Sequence, residues 1–291
     1  LNAVSQRLLG LKESDIVGQY AADVAIKNDL MRTLLQEENN KTELKIYADN
    51  KESYFNKEVI HVTNNDQVIG QVIVLRNITI FREFNEAKTN FIATISHELK
   101  TPISSIKMSA QLLEDERIGK LSNEQKELIG SIHDDANRLL KITGELLNMA
   151  QVETGNIQLK RQATEPAKII DEALEAVQVL AEQKHISFQK NSGAHLPSVN
   201  ADSEKTAWVL INFLTNAIKY SPDDSIIDIG AFAKENMVEF YVRDNGAGID
   251  EKYLPRIFDR YYKVPGTLDR AGTGLGLAIS KEFIEAQGGT I

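Results

Sequence analysis

The period of the apolar residues between positions 92 and 113 constrains the fold more than any other feature. They are Ile92, Ile95, Leu99, Ile103, Ile106, Ala110 and Leu113. At about 100° per residue, these side chains form one narrow stripe along a helix. The preceding segment, "QVIGQVIVLRNIT" at positions 67–79, alternates instead with the period of a strand. No loop cluster separates the two patterns, so we expect a strand that runs directly into a long helix, Phe81 to about Leu113.

A second amphipathic helix is predicted after a break at positions 114–122. It runs from about Asn123 to Glu153 and ends near Gly155. Two long helices joined by a short connection form an antiparallel hairpin. Each helix would keep an exposed apolar stripe, which a four-helix bundle of two copies would bury. The sequence therefore predicts a homodimer that forms through the hairpin.

The regions on either side of the hairpin have mixed patterns. A chain of 291 residues suits two or three domains. Residues 1–80 combine short helical stretches with alternating segments, which favours a small α+β domain. Residues 155–291 alternate helices with strands, which favours an α/β sandwich. The expected fold class is multidomain α+β, with the linker helix and hairpin at 81–154.

Composition narrows the possible functions. A net charge of −9 disfavours nucleic acid as a partner, and the absence of cysteine excludes disulfides and thiolate chemistry. No apolar run is long enough to span a membrane, and no signal peptide opens the sequence. We expect a cytoplasmic fragment with incomplete first and last domains. Membrane anchoring of the full-length protein would then use segments outside this sequence.

His97 lies on the side of the first helix away from the apolar stripe. The same spacing places it about 160° from the centre of the stripe. Glu98 is at the flank, Thr101 is one turn away, and Pro102 removes an N–H, so that a bend is expected just past the histidine. A carboxylate can fix the tautomer of an exposed imidazole and leave the other nitrogen free to attack. The alternative is an ordinary solvated histidine.

Three further segments have residues suited to a nucleotide. In "NFLTNAIKYS", Asn212, Asn216 and Lys219 share one helix face, followed by Tyr220. Amide oxygens can ligate Mg²⁺, and an ammonium can approach phosphate. The alternative for this helix is a polar flank of a core helix.

In "DNGAGI", Asp244 ends a strand-like run and can accept a hydrogen bond from an amino group of a base. Gly246 and Gly248 allow close approach of the backbone to a ligand. The alternative is a common Asp-Asn-Gly turn.

The third segment is "RIFDRYYKVPGTLDRAGTGLGLAIS", which contains Phe258, Arg260 and Lys263 before a polar loop. A glycine-rich run, Gly272 to Gly276, then opens a helix and can present backbone N–H groups to phosphate. This run has Thr273, Gly274 and Leu275 between its terminal glycines. It has neither the dinucleotide spacing nor the Lys-Ser/Thr pair of a Walker loop.

The segment "SHELKTP" resembles the phosphoacceptor box of sensor histidine kinases of two-component systems. The nucleotide segments resemble the N, G1, F and G2 boxes of the catalytic domain, in the family's order. The resemblance covers about Phe81 to Ile291. It implies that His97 accepts the γ-phosphoryl group of ATP, that Glu98 is its base, and that Thr101 supports dephosphorylation of a response regulator.

The same resemblance implies an ATP site of the type found in gyrase B. It assigns Mg²⁺ to Asn216, phosphate to Lys219, a flanking position to Tyr220 and the adenine amino group to Asp244. Residues 264–271 would form a lid. Asn212, Gly246, Gly248 and the F- and G2-box residues named above complete the expected nucleotide site. The F box ends in Tyr261-Tyr262-Lys263 where many relatives have Phe-Tyr-Arg, so its phosphate contact is shared with Arg260 on this interpretation.

Residues 1–80 resemble a PAS sensor domain through "LNAVSQRLLG", "DIVGQ" and "LRNIT", with Asn77 where family members often have Asp. The expected protein is thus a homodimeric histidine kinase that uses ATP and Mg²⁺ and transfers phosphate to a receiver-domain aspartate. Two alternatives remain at this point. One is a nucleotide-responsive scaffold without phosphotransfer, and the other is an ATP-driven clamp.

Overall fold

A computed structural model of the chain describes residues 2–36, 41–48, 51–65, 67–115, 117–154, 157–193, 196–266 and 272–291. The chain divides into two compact units, Leu1–Ala87 and Lys88–Ile291. None of the helices in these described ranges combines the length and apolar character needed to cross a membrane.

The first unit combines short helices with an antiparallel sheet. Its elements are α1 (Ala3–Leu9), α2 (Ala21–Lys27), α3 (Asp29–Gln36), β1 (Lys41–Ala48), β2 (Lys51–Asn64) and β3 (Gln67–Asn77). The strands lie in the order β1-β2-β3, and Leu44 pairs with Phe55 across the first two. Both residues are buried with Leu9, Leu34 and Ile46 in one apolar core. The strand predicted from the alternation at positions 67–79 is confirmed as β3. The shorter alternating segment "EVIHV", at positions 58–62, lies within β2, and β1 is an addition.

A single residue separates β3 from the long helix α4 (Thr79–Leu113), as the abrupt change of period predicted. Thr79 is buried, and its hydroxyl accepts the backbone N–H of Tyr54 at 2.8 Å. The Arg82 guanidinium lies 4.1 Å from the centre of the Tyr54 ring and pairs with Glu43 on β1. The first turn of α4 is therefore attached to the sheet by directional contacts.

The helix α4 pairs with α5 (Asn123–Glu153), which begins at a capping box formed by Ser122 and Gln125. One row of buried residues recurs at every seventh position of the hairpin, and it comprises Ser96, Ile103 and Ala110 on α4 with Ile129, Ala136, Thr143 and Ala150 on α5. The Ser96 hydroxyl donates to the Thr143 carbonyl at 3.3 Å. Because the helices are antiparallel, this contact places Ile103 opposite Ala136. The predicted hairpin is confirmed, whereas the predicted end at Gly155 lies outside the described residues.

Pro102 lies within α4 without ending it. Its missing N–H removes one hydrogen bond of the helix. The bend expected at this residue stays a prediction.

The rest of the second unit is an α/β sandwich. Its elements are β4 (Gln162–Thr164), α6 (Pro166–Glu182), β5 (Ser187–Ser192), β6 (Val199–Ala201), α7 (Ser203–Tyr220), β7 (Ile226–Lys234), β8 (Met237–Arg243) and α8 (Gly276–Ala286). The strands β5, β7 and β8 form one sheet in that order, and β4 pairs with β6. Fully buried residues such as Ile169, Leu214 and Ile227 join α6 and α7 to the sheet. The predicted alternation of helices with strands is present and includes an antiparallel β7–β8 hairpin, while β4 and β6 were not predicted.

The attachment of α4 to the sheet can be tested with Thr79→Val. This change keeps the shape of the side chain but leaves the Tyr54 N–H without its hydroxyl partner, which costs about 1–3 kcal/mol. We expect the unfolding transition of the first unit, followed by circular dichroism, to move to lower denaturant concentration. The fluorescence of Trp208, the only tryptophan and a residue of the second unit, should keep its transition. Thr94→Val, which removes an exposed hydroxyl on the same helix, is the control. If the first unit of Thr79→Val unfolds at the same denaturant concentration as in the parent chain, the hydrogen bond does not stabilise the attachment of α4 to the sheet.

Candidate active site

The His97 imidazole projects from α4 into solvent, with 82% of its side chain exposed. Its neighbour Ser96 belongs to the buried row of the hairpin, so His97 points about 100° away from that row. The Nδ1 atom lies 4.0 Å from Oε1 of Glu98, and the Thr101 hydroxyl donates to the His97 carbonyl at 3.5 Å. The predicted exposure is confirmed. Nδ1 faces the carboxylate, which leaves Nε2 available for chemistry.

The α7 helix positions the three polar residues predicted from the N-box segment. Asn212 is only 8% exposed, and its Nδ2 donates to the Ser280 hydroxyl on α8 at 3.0 Å. Its Oδ1 lies where a Cβ on Gly276 would be, so the glycine lets α8 approach α7 closely. Asn216 and Lys219 lie half-buried further along the helix. Asn212 thus connects α7 to α8, and its contact with nucleotide stays a prediction.

Lys219 connects α7 to the glycine-rich run. A Cβ on Gly272 would lie 3.4 Å from the Lys219 Nζ atom. The same ammonium lies 4.9 Å from the centre of the Tyr220 ring. The structure therefore brings a cation of the N-box segment to the backbone of the G2-box segment, about fifty residues later in the chain.

The turn after β8 also packs against the end of α7. The Gly246 N–H donates to Oδ1 of Asp244 at 2.8 Å. A Cβ on Gly246 would lie 2.7 Å from that oxygen and 3.0 Å from the Tyr220 carbonyl oxygen, so this position requires glycine. Gly248 has a φ of 75°, in the left-handed region that favours glycine. The turn thus packs closely against the end of α7 and holds Asp244 beside it, while the predicted approach of this backbone to a ligand stays a prediction.

A short 3₁₀ helix, Glu251–Arg256, follows this turn and is capped by Asp250. The Asp250 side chain accepts the Lys252 backbone N–H and also lies 2.6 Å from the Lys252 ammonium. The hydrogen bond to the Lys252 side chain is the main cause that lowers the pKa of Asp250 and raises the pKa of Lys252. Both groups are exposed to solvent, so this ion pair adds little to the free energy of unfolding. The cap instead sets the direction of the chain after the turn.

The glycine-rich run is held by contacts with the F-box segment. Gly274 has a φ of 75°, and a Cβ there would lie 2.8 Å from the Tyr261 carbonyl carbon. The Tyr261 N–H donates to the Gly274 carbonyl at 2.9 Å. The Thr273 hydroxyl accepts the Leu275 N–H at 3.2 Å, just before α8 begins. Of the predicted lid, only positions 264–266 are described, and 267–271 lie outside the described residues.

The remaining F-box side chains contact charged groups. The Phe258 ring has the Lys281 ammonium 5.8 Å from its centre. Arg260 pairs with Glu153 of α5 and with Glu282 of α8, each at 3.4 Å. Lys263 is half-buried. Contacts of these side chains with phosphate stay predictions.

Two supporting residues were missed at the level of sequence. Ser280 is fully buried and holds Asn212 from α8. Lys184 donates to the carbonyls of Ile218 and Ser221 at 3.1 and 2.9 Å and thereby caps the last turn of α7. A lysine and a serine in unremarkable surroundings give no local signal, since their partners lie more than thirty residues away.

The donor set fits a magnesium nucleotide. Asn216 offers an amide oxygen, Lys219 a cation, and Asp244 a carboxylate beside the turn that requires Gly246. Mg²⁺ prefers hard oxygen ligands and keeps several waters, so one amide ligand together with substrate oxygens is sufficient. An exposed imidazole and a site of this kind in one chain are the requirements of a protein that transfers phosphate to histidine.

Comparison with protein families agrees with this class. Residues 87–155 match the His Kinase A (phospho-acceptor) domain, and residues 201–291 match the Histidine kinase-, DNA gyrase B-, and HSP90-like ATPase family. The chain belongs to the sensor histidine kinases of two-component systems.

Individual relatives are similar over much of the chain. The sensor protein kinase WalK of Staphylococcus haemolyticus is 28% identical over 297 residues, which cover 100% of this chain and 48% of that protein. The sensor protein KdpD of Clostridium acetobutylicum is 31% identical over 240 residues, 78% of this chain and 26% of that protein. The chain therefore spans about half the length of WalK and about a quarter of the length of KdpD.

A solved structure shows the same architecture. The crystal structure of full-length ShkA in complex with AMPPNP aligns with a TM-score of 0.56 at 28% identity, over 69% of this chain and 42% of that one. The predicted fold class, a helical hairpin followed by an ATPase-type α/β domain, is confirmed.

The requirement for glycine at position 274 gives a test of the site. In Gly274→Ala, a left-handed alanine costs about 1 kcal/mol, and overlap with the Tyr261 backbone adds about 1–3 kcal/mol. We expect the Kd for a non-hydrolysable ATP analogue with Mg²⁺ to rise at least about tenfold, as measured by calorimetric titration. Gly130→Ala, at a helical glycine with open space around it, should leave this Kd unchanged. Equal affinity of the Gly274→Ala variant and the parent chain would show that this run does not contribute to the site.

Proposed function

We propose that the chain phosphorylates its own His97 from ATP and passes the phosphoryl group to an aspartate of a response regulator receiver domain. The observation that supports this most directly is the geometry at His97. The imidazole is exposed on a rigid helical hairpin, with Glu98 beside Nδ1. The second requirement of the reaction is a site that binds the phosphoryl donor, and the residues suited to a nucleotide lie in the same unit.

The proposed chemistry at His97 follows from its tautomer. A proton on Nδ1 directed at Glu98 leaves the lone pair of Nε2 free to attack the γ-phosphorus of ATP. The Nε2–P bond forms as the bond from phosphorus to the β–γ bridging oxygen breaks, and ADP leaves with the electron pair. The product imidazolium then releases its Nδ1 proton to Glu98. Positioning and electrostatic stabilisation provide most of the catalysis in this reaction class.

In the proposed nucleotide site, Asn216 ligates Mg²⁺ and Lys219 contacts phosphate. Magnesium, when bound, neutralises phosphate charge and orients the transferred group. Asp244 accepts a hydrogen bond from the adenine amino group while Gly246 keeps its carboxylate in place. Asn212, held by Ser280, sets the distance between α7 and the start of α8.

Thr101 is the proposed residue for the reverse activity, hydrolysis of the phosphorylated regulator. Its hydroxyl lies one turn from His97 on the exposed side of α4 and is within reach of a docked receiver domain. The proposed domain division is a PAS-like sensor at 1–80, the linker helix and hairpin at 81–154, and the catalytic domain at 155–291.

The proposed partner for the hairpin is a second copy of the chain. The row between α4 and α5 takes one residue in seven from each helix, and a second apolar row stays half-exposed, comprising Leu99, Ile106 and Leu113 on α4 with Ile132, Leu139 and Leu146 on α5. Both halves of this row repeat every seven residues, which is the pattern of a coiled-coil seam. Two hairpins that join these rows complete a four-helix bundle.

Substitution of His97 tests the function directly. His97→Gln should abolish acid-labile, base-stable labelling by γ-labelled ATP, because no other nucleophile replaces the imidazole nitrogen. His61→Gln, at an exposed histidine of β2, should label normally. Nucleotide affinity should stay unchanged in both variants. Label that persists in His97→Gln would assign the acceptor elsewhere, whereas nucleotide binding without label in the parent chain would favour the scaffold alternative.

Substitution in the exposed row tests the dimer. Ile106→Glu places a charge at a position that is 53% exposed in the single chain but buried in the proposed bundle. We expect the molar mass from light scattering to fall from twice the chain mass of 32.5 kDa to that of one chain. Lys107→Glu, at the adjacent position on another side of α4, should stay dimeric. A dimeric Ile106→Glu variant would place the interface elsewhere.

A further inference from the structure

The carboxylate of Glu145 on α5 holds the glycine-rich run of the catalytic domain. Glu145 is 5% exposed and accepts a hydrogen bond from the Thr273 hydroxyl. The Lys141 ammonium, one turn earlier, lies 3.9 Å from its other oxygen. Thr273 belongs to the glycine-rich run, whose backbone N–H groups are expected to meet the nucleotide phosphates. A negative side chain of the hairpin thus touches a residue expected to meet a negative ligand.

A second carboxylate of α5 engages the F box. Glu153 pairs with Arg260, which Glu282 of α8 also contacts. Arg260 is the cation expected to share the phosphate role with Lys263. Both contacts therefore join acidic residues of α5 to residues of the proposed nucleotide site.

An apolar patch lies between the two acidic contacts. Met149 and Val152 of α5 are buried together with catalytic-domain residues, namely Val209, Leu275, Ile279 and Phe283. Leu275 immediately precedes α8 and follows Thr273 by two positions. Because Glu145, Met149 and Val152 are spaced by four and three residues, they lie on one face of α5. The catalytic domain is seated on this face.

This face of α5 points away from the helix that carries His97. Thr143 contacts Ser96 of α4, and Glu145 follows Thr143 by two residues, which rotates it by about 200° around the helix. The glycine-rich run therefore contacts α5 on the side opposite α4. In this arrangement, the run is held by the hairpin but is not directed toward His97 of the same chain.

We propose that Glu145 and Glu153 compete with nucleotide phosphate for Thr273 and Arg260, so that the seated arrangement is a resting state of low nucleotide affinity. The inference rests on the proposed function, because it assumes that the run and Arg260 serve the nucleotide. A carboxylate at the start of α8 is favoured by the positive end of the helix dipole, as a phosphate would be. Both anions cannot occupy that position without repulsion. Nucleotide binding and release from α5 are then coupled, and the coupling is reciprocal.

The competition predicts tighter nucleotide binding when the carboxylates are removed. We expect Glu145→Ala and Glu153→Ala each to lower the Kd for a non-hydrolysable ATP analogue with Mg²⁺ by at least about threefold, the change expected if about two thirds of the parent molecules are seated. Asp134→Ala, at an exposed acidic residue about three turns before Glu145 on α5, should bind like the parent chain. Unchanged or weaker binding in both carboxylate variants would overturn the proposal. Failure of the parent chain itself to bind the analogue would instead refute the nucleotide site and, with it, the proposed function.

A distance measurement tests the same proposal without altering either carboxylate. Since the chain has no cysteine, spin labels can be introduced through Asn137→Cys on α5 and Val179→Cys on α6, two exposed positions of the second unit. Labelled chains are diluted with unlabelled chains so that only distances within one chain are measured. Saturating analogue should shift the distance distribution, and Glu145→Ala should cause the same shift without analogue. A distribution that analogue binding leaves unchanged would overturn the proposal even if Glu145→Ala folds poorly.

Discussion

One row of side chains, a single residue in each seven, holds α4 against α5. The row is made largely of small residues, with Ser96 facing Thr143 and Ala110 facing Ile129. The seven-residue repeat keeps the contact on one side of both helices. His97 follows Ser96 directly, so packing of this row is what directs the imidazole outward.

The proposed nucleotide site depends on a different constraint, the close approach of backbones. Gly246, Gly274 and Gly276 each lie where a Cβ would meet a neighbouring segment. At Gly276 that neighbour is the Asn212 side chain, and at Gly274 it is the backbone of Tyr261. The glycines therefore allow three segments distant in sequence to assemble.

The local spacing of apolar residues was sufficient to predict the helical hairpin, the strand that runs into α4 and the exposure of His97. Each of these depends on residues within a few turns of one another. The period of the apolar residues did not predict the burial of Asn212. This residue shares a helix face with Asn216 as predicted, but it is buried where its amide donates to Ser280, 68 positions later. The contacts of Glu145 with Thr273 and of Glu153 with Arg260 span more than one hundred residues. The strands β4 and β6 have three residues each, too few for an alternating pattern to be recognised.

The three packing roles of α5 explain how these parts can influence one another. Thr143 and its row face α4, Leu139 and Leu146 form the half-exposed row, and Glu145 with Met149 faces the catalytic domain. At about 100° per residue, the half-exposed row lies roughly 110° from the catalytic face, and the α4 row lies nearly opposite that face. The three contacts therefore do not exclude one another, and one helix can make all of them at once. In the bundle proposed above, a rotation of α5 about its axis would move Glu145 relative to Thr273 and so couple helix packing to the proposed nucleotide site.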